Sequence, residues 1–347
     1  VYSRDNQPYA VDETTPNPQL YRIGSPGFAK AVRKLVYLRN PMVVLTTDDI
    51  SEISAQLEAL AELKGEVASV WHRVAQTDSG LEIDVGDETQ ARIAIQPGTV
   101  QVVERGSPTL FYRHENDLPF VRPADQGDLD KLLPFLNLSD TDKRLLIAWI
   151  SYTLAHPKLA TSNYVFLVLY GDRGSGKTTL CNAVLSALLG PNVVGVQAFP
   201  ASQVDLAIAV QNAHVSMFDN LRKLTPNQAD MLCRCATAAS LSTRQLFTNG
   251  GSYLHRMHGA LVLNGIHHFI DQADLAQRCL ELQVQQLLSG SRTTEKALAA
   301  RFQRDLPVIF RGLLDLIAQI LQQLPNVTVK YPERMLDFVH WLAAMEQ

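Results

Sequence analysis

Residues 164–180 read Tyr-Val-Phe-Leu-Val-Leu-Tyr-Gly-Asp-Arg-Gly-Ser-Gly-Lys-Thr-Thr-Leu. An apolar run meets the pattern G-x-x-x-x-G-K-[ST], and a helix-forming stretch follows it. Strand, glycine-rich turn and helix form the context in which this pattern cradles phosphates. Gly171, Gly174 and Gly176 let the backbone turn tightly and approach a phosphate closely. The N–H groups from there through Ser175 and Thr179 make an anion nest at a helix N-terminus. Lys177 would reach the β- and γ-phosphates, and the Thr178 hydroxyl would bind Mg²⁺. The ligand class read from this stretch is a nucleoside triphosphate, ATP, with Mg²⁺. The helix is predicted from Lys177 to Leu189, where Gly190-Pro191 supply a stop.

The chain has 347 residues, enough for two or three domains with proper cores. We divide it into an α+β module over 1–125, a helical linker over 126–160, a phosphate-loop core over 161–290 and a helical segment over 291–347. No apolar run has the length of a membrane span. The polar start, Val-Tyr-Ser-Arg-Asp-Asn, has no initiating Met and no signal peptide, which reads as an internal boundary. The four cysteines, at 181, 233, 235 and 279, are scattered, and Cys233-Arg-Cys235 has no second pair to complete a zinc site. Reduced thiols in a cytoplasmic protein are the expectation. The net charge is −4, yet Gly171 to Gly265 carries seven Lys/Arg against four Asp and no Glu. That local excess permits a polyanion site.

Residues 1–25, rich in Pro and Asn, read as an extended surface segment. Pro26–Arg39 and Thr47–Leu63 read as helices; in the second, Ile50, Ile53, Leu57, Leu60 and Leu63 recur at helical spacing. The period then becomes two, through Leu81, Ile83 and Val85, then Ile93 and Ile95, then Val100 and Val102. Turn signals separate these runs, which predict a small antiparallel sheet with Glu82 and Asp84 in its solvent phase. Leu129–Leu136, Thr141–Ala155, Arg292–Gln303, Pro307–Leu324 and Met335–Ala344 read as further helices.

The strand His214-Val-Ser-Met-Phe-Asp219 ends in an acid, as a Walker B strand does, so Asp219 would hold Mg²⁺ through water. Asn220 follows where many ATPases place an acid. An amide orients water but cannot take its proton, so binding is better supported than fast hydrolysis. Asn264 ends the strand from Gly259 and suits a sensor of the γ-phosphate. Between these strands, Asn249-Gly250-Gly251 signals a hairpin. Arg244, Tyr253, His255 and Arg256 on its arms are candidates to grip a phosphate backbone and stack a base. Arg278, just before Leu280 and Leu282, is a candidate arginine finger for a neighbouring subunit.

In this order the elements resemble the compact AAA+ core of superfamily-3 helicases. More closely, the chain resembles putative ATPases and primase–helicase proteins of prophages and integrative mobile elements. The shared stretches are Phe218-Asp-Asn-Leu221, Asp230-Met-Leu-Cys-Arg-Cys-Ala-Thr237, Ser242-Thr-Arg-Gln-Leu-Phe247, Val262-Leu-Asn-Gly-Ile266 and Arg334-Met-Leu-Asp-Phe-Val-His-Trp341. The resemblance implies an α/β fold, a P-loop NTPase core with a smaller N-terminal α+β module and C-terminal helices. It also implies a ring, a hexamer, moving on single-stranded or forked DNA during replication of a mobile element. The hairpin tip lacks the Lys such helicases commonly carry, and the first module carries no primase motif. A nucleotide-dependent scaffold with little turnover is the second reading, resting on Asn220. A small-molecule kinase is the weakest, because no lid rich in Arg is visible.

Overall fold

The computed structural model describes residues 1–3, 7–159, 161–237, 239–244, 252–286, 295–330 and 334–347, with the side chains of 239–244, 252–256 and 295 outside that description. Its centre is a five-stranded parallel sheet. The order across it is Val196–Ala198, Val215–Leu221, Ala260–Gly265, Phe166–Tyr170, Cys279–Gln283. The Phe166–Tyr170 strand is flanked on both edges, and all five of its residues are buried. That double burial is why it reads as an unbroken apolar run rather than an alternating one.

Register gives this sheet a working end. Leu169 lies opposite Asn264, and Ala198 lies opposite Asp219. The carboxyl ends of four strands therefore meet along one rim, the rim at which open parallel sheets bind ligands. The segment after the loop is helical from Lys177 to Leu189, as predicted, but Leu180–Leu185 is π-helical, an irregularity that often marks functional positions. Helix Asp140–Ala155 backs the sheet with every residue from Leu146 to Ala155 buried. Trp149 Nε1 donates to Val165 O at 2.8 Å, and Trp341 Nε1 donates to Ser151 Oγ at 2.9 Å. These two indoles tie the sheet and the C-terminal helix Leu336–Met345 to that one helix.

Several expectations need correcting. Pro307 does not separate two helices: one helix runs Glu295–Gln323 through it. The Pro307 and Val308 carbonyls accept Ala124 N and Asp128 N at 3.0 and 3.1 Å, which ties this stretch of the helix to the 124–128 segment. Leu129–Phe135 is a 3-10 helix. The first 25 residues are not laid over the surface. Tyr9–Asp12 and Gln19–Arg22 form strands of a four-stranded sheet with Leu110–Tyr112 and Val70–Trp71, and Leu20 is fully buried.

The predicted antiparallel sheet is present as the meander Val74–Thr77, Gly80–Asp84, Arg92–Gln96, Thr99–Val103. Its acids, however, are not solvated: Glu82 and Asp84 are buried. Asp84 pairs with Arg92 and Arg113, Arg92 lies 4.9 Å from the Phe111 ring, and Glu82 accepts the Thr109 hydroxyl. The segment around Phe111 covers the face that alternation assigns to water. By contrast, Leu63 of helix Thr47–Lys64 is 81 % exposed, although its stripe reads as core-facing.

Candidate nucleotide-binding site

The loop after Tyr170 has the backbone its sequence demands. Gly174 and Gly176 take φ of +78° and +90°, with nothing within 4 Å of an added Cβ. Conformation, not crowding, requires glycine there. Gly171 is required by crowding: a Cβ would sit 2.6 Å from the Val284 carbonyl. Gly176 caps the helix with no side-chain bond, which leaves the first N–H groups available to an anion.

Lys177 Nζ donates to Gly171 O at 2.6 Å, Asp172 O at 2.9 Å and Ser175 Oγ at 3.2 Å. Burial lowers its pKa, while Asp219 and Asp172 pull the other way. A phosphate would supply the charge partner that loop carbonyls only approximate. Thr179 follows in the same helical turn. Thr178 Oγ1 donates to Asp219 Oδ2 at 2.8 Å, so the two candidate Mg²⁺ ligands, far apart in sequence, touch. A hydroxyl and a carboxylate are hard oxygen donors suited to Mg²⁺, which takes its other ligands from phosphate and water. No cluster of three His, Cys, Asp or Glu fit for a metal exists among the described residues.

Asn220 has φ of +61° at the point where the strand's register shifts, and its N–H donates to Asp219 Oδ1 at 2.6 Å. Asn tolerates this left-handed backbone far better than Glu. The residue that departs from the helicase pattern is thus the one its own backbone favours. Asn264 is fully buried, and neither Nδ2 nor Oδ1 has a partner. Each orphaned group costs about 1–3 kcal/mol, a cost that a phosphate oxygen or water at this rim would offset.

Arg278 lies elsewhere. Its carbonyl accepts Phe166 N at 2.8 Å, so it flanks the start of the strand whose far end opens into the loop. Five residues of strand place it roughly 16 Å away. It is 7 % exposed and pairs with Asp274 at 2.8 Å, while Arg334 pairs with the other oxygen of that carboxylate. Arg278, then Cys233, then Arg334 hold Asp274 down to about pKa 2. The Asp274–Arg278 spacing of four residues was a legible signal for this clamp; nothing in the sequence announced Arg334. The hairpin arms are Ala239–Arg244 and Ser252–Met257, with Arg244 opposite Ser252 and Ser240 opposite Arg256. Tyr253 and His255 occupy the other phase of the alternation. The side chains of all four candidates, and the Asn249-Gly250-Gly251 tip, lie outside the described residues. All four cysteines are free thiols.

Sheet order and loop define a P-loop NTPase fold. A family model described as actinomycete integrative conjugative element replication protein matches residues 129–347. The chain belongs to that family of mobile-element replication proteins. No curated protein matches it. Solved structures similar to it include the NrS-1 C-terminal region, 12 % identical over 73 % of this chain and 69 % of that one, TM-score 0.41. Another form of that region covers 96 % of this chain and 68 % of its own at TM-score 0.44. A JCV helicase bound to a thiazolopyridine acetamide is 14 % identical over 63 % and 58 %, TM-score 0.31. These likenesses are too distant to carry any residue's role across. No helix among the described residues is long and apolar enough to cross a membrane.

Proposed function

We propose that this chain is the ATP-driven DNA translocase, or helicase, of its element's replication, acting as a ring. The observation that carries the reading is the 2.8 Å bond from Thr178 to Asp219 at the mouth of the loop. It joins the hydroxyl and the carboxylate that would share Mg²⁺, beside the ammonium that would take the phosphate. Lys177 would leave its loop carbonyls for the β- and γ-phosphate oxygens. Mg²⁺, when held by Thr178 and Asp219, neutralises charge building on the phosphates. Asn264 would orient the water or the terminal phosphate through the two groups that lack partners. Arg278 cannot reach its own loop, so any part it takes in charge stabilisation is played in a neighbour's site, after it is released from Asp274. The hairpin would then carry a single strand.

Asn220 favours a second reading, a nucleotide-stabilised scaffold on DNA with negligible turnover, because no acid stands beside Asp219. ATP hydrolysis and displacement of a labelled strand, with and without single-stranded DNA, separate the two. The translocase reading expects DNA-stimulated hydrolysis that falls about a hundredfold or more in Lys177→Ala. Tight ATP binding without turnover or strand displacement would leave only the scaffold.

A further inference from the structure

Leu63 is not alone in its exposure. Of the fifteen large apolar side chains that stand exposed among the described residues, nine lie between Leu35 and Val67. This stretch is a helical hairpin, Pro26–Arg39 and Thr47–Lys64 joined by residues 40–46. The family model begins only at residue 129, so membership assigns the hairpin no role. Scattered exposed leucines are ordinary, but a concentration of this kind marks an interaction surface. We propose that the hairpin is a self-association surface, on which the first helix of one copy docks against the second helix of another.

The hairpin stands clear of its own module. The chain enters it from strand Gln19–Arg22 and leaves it into Val67–Ala68, which pairs with Tyr2–Ser3. Tyr9 lies opposite Arg22, and its N–H donates to Val1 O at 2.9 Å. The two feet of the hairpin therefore meet in one place. From there the first helix extends for about 20 Å. No residue from Ala29 to Asp49 is buried. Leu38, near the far end of that helix, is 70 % exposed, and Met42 on the connection is 89 % exposed.

Charge says what covers these apolar faces. The first helix carries Lys30, Arg33, Lys34 and Arg39 and no acid, whereas the second carries Asp48, Asp49, Glu52, Glu58 and Glu62 against Lys64 alone. All of these side chains are exposed. No ion pair joins the two helices among the described residues, so the opposite charges do not neutralise each other within one copy. Residues four apart share a helix face. Lys30, Lys34 and Leu38 form one such row, and Glu52, Gln56 and Leu60 form another, with all six exposed. Each row begins polar and ends in leucine, one basic and the other acidic. A surface that holds both halves of a complementary pair finds its match in a second copy of itself. A nucleic acid or an anionic membrane would be attracted by the first helix and repelled by the second.

None of these residues belongs to the phosphate loop, so the surface stands or falls apart from the ATPase reading. Sedimentation equilibrium of the full chain is expected to show association without nucleotide, and equally in Lys177→Ala. Lys30→Glu/Lys34→Glu and Glu52→Lys/Gln56→Lys are each expected to raise the dissociation constant at least about tenfold. All four positions are exposed, so thermal unfolding and ATP binding should stay as in the parent. Mixed in equal amounts, the two variants are expected to regain the parent's association, because the reversed first helix of one meets the reversed second helix of the other. Parent-like association in both variants would overturn the surface and leave a ring built on other faces intact. Loss in both without recovery on mixing would also overturn it. So would a first-helix variant that associates normally but loses a labelled single-stranded oligonucleotide, since the basic helix would then belong to DNA. Recovery on mixing that stops at two copies would keep the surface and sink the ring, and a parent that stays monomeric would sink both.

Discussion

Two buried polar side chains, Asp84 in the meander and Asn264 at the rim of the parallel sheet, face opposite circumstances. Asp84 accepts from Arg92 Nη1, from Arg113 Nε and Nη2 at 2.7 and 2.8 Å, and from Gly86 N at 3.2 Å. Asn264 accepts from nothing and donates to nothing. A carboxylate with four donors has no capacity left for a ligand, so its work is to hold the covering segment onto the sheet. A buried amide without partners is a stability cost, and such costs persist where a bound group repays them.

The contrast breaks first at Asp84. Asp84→Ala leaves two arginines without their shared anion, and we expect a loss of about 3–5 kcal/mol in urea unfolding. ATP binding to whatever remains folded is expected to be unchanged. The sign with pH follows. The arginines hold the Asp84 carboxyl below its ordinary 3.8, so the unfolded chain binds the proton first. Its stabilisation is full above that value and fades as pH falls through the lower folded one. The acid limb of the stability curve should therefore be shallower in Asp84→Asn. A parent and variant with parallel acid limbs would show that the cluster is not ionised as described.

Asn264→Leu sharpens the other side. It removes two unpaired groups at similar volume, so thermal stability without nucleotide should hold or rise by about 1 kcal/mol. Steady-state ATP hydrolysis should fall about a hundredfold. If both stability and hydrolysis drop together, Asn264 is a structural residue with partners of its own. The smallest expected effect belongs to Asn220→Glu. The left-handed backbone there should cost the Glu variant about 1 kcal/mol of stability, read by thermal unfolding. A gain in hydrolysis despite that cost would show that the amide limits turnover.

The phosphate loop was legible residue by residue because its requirements are local. Glycines are needed where φ is positive, a lysine follows at a set offset, and a helix begins. Asp219 and Asn264 were legible as strand ends, since an apolar run closing on a polar residue shows in one dimension. Glu82 and Asp84 were misread for a physical reason. Period two separates the faces of a strand but does not say whether a second layer covers the outer one, and here the Phe111 segment does. The continuous helix through Pro307 escaped notice because the segment tied to it, Ala124 to Asp128, is remote in sequence, and no local rule connects the two.

The linear order of residues by itself determined the α/β core, the backbone of the glycine-rich loop and the strands that carry acid and amide. These rest on backbone conformation and periodicity, which act over a few neighbours. Only the folded chain decided that Thr178 and Asp219 touch, that Asn264 is buried without partners, and that Arg278 lies at the far end of the sheet clamped by Asp274 and Arg334. Those outcomes depend on strand register and on which layer covers which, and both are settled by packing between segments remote in sequence.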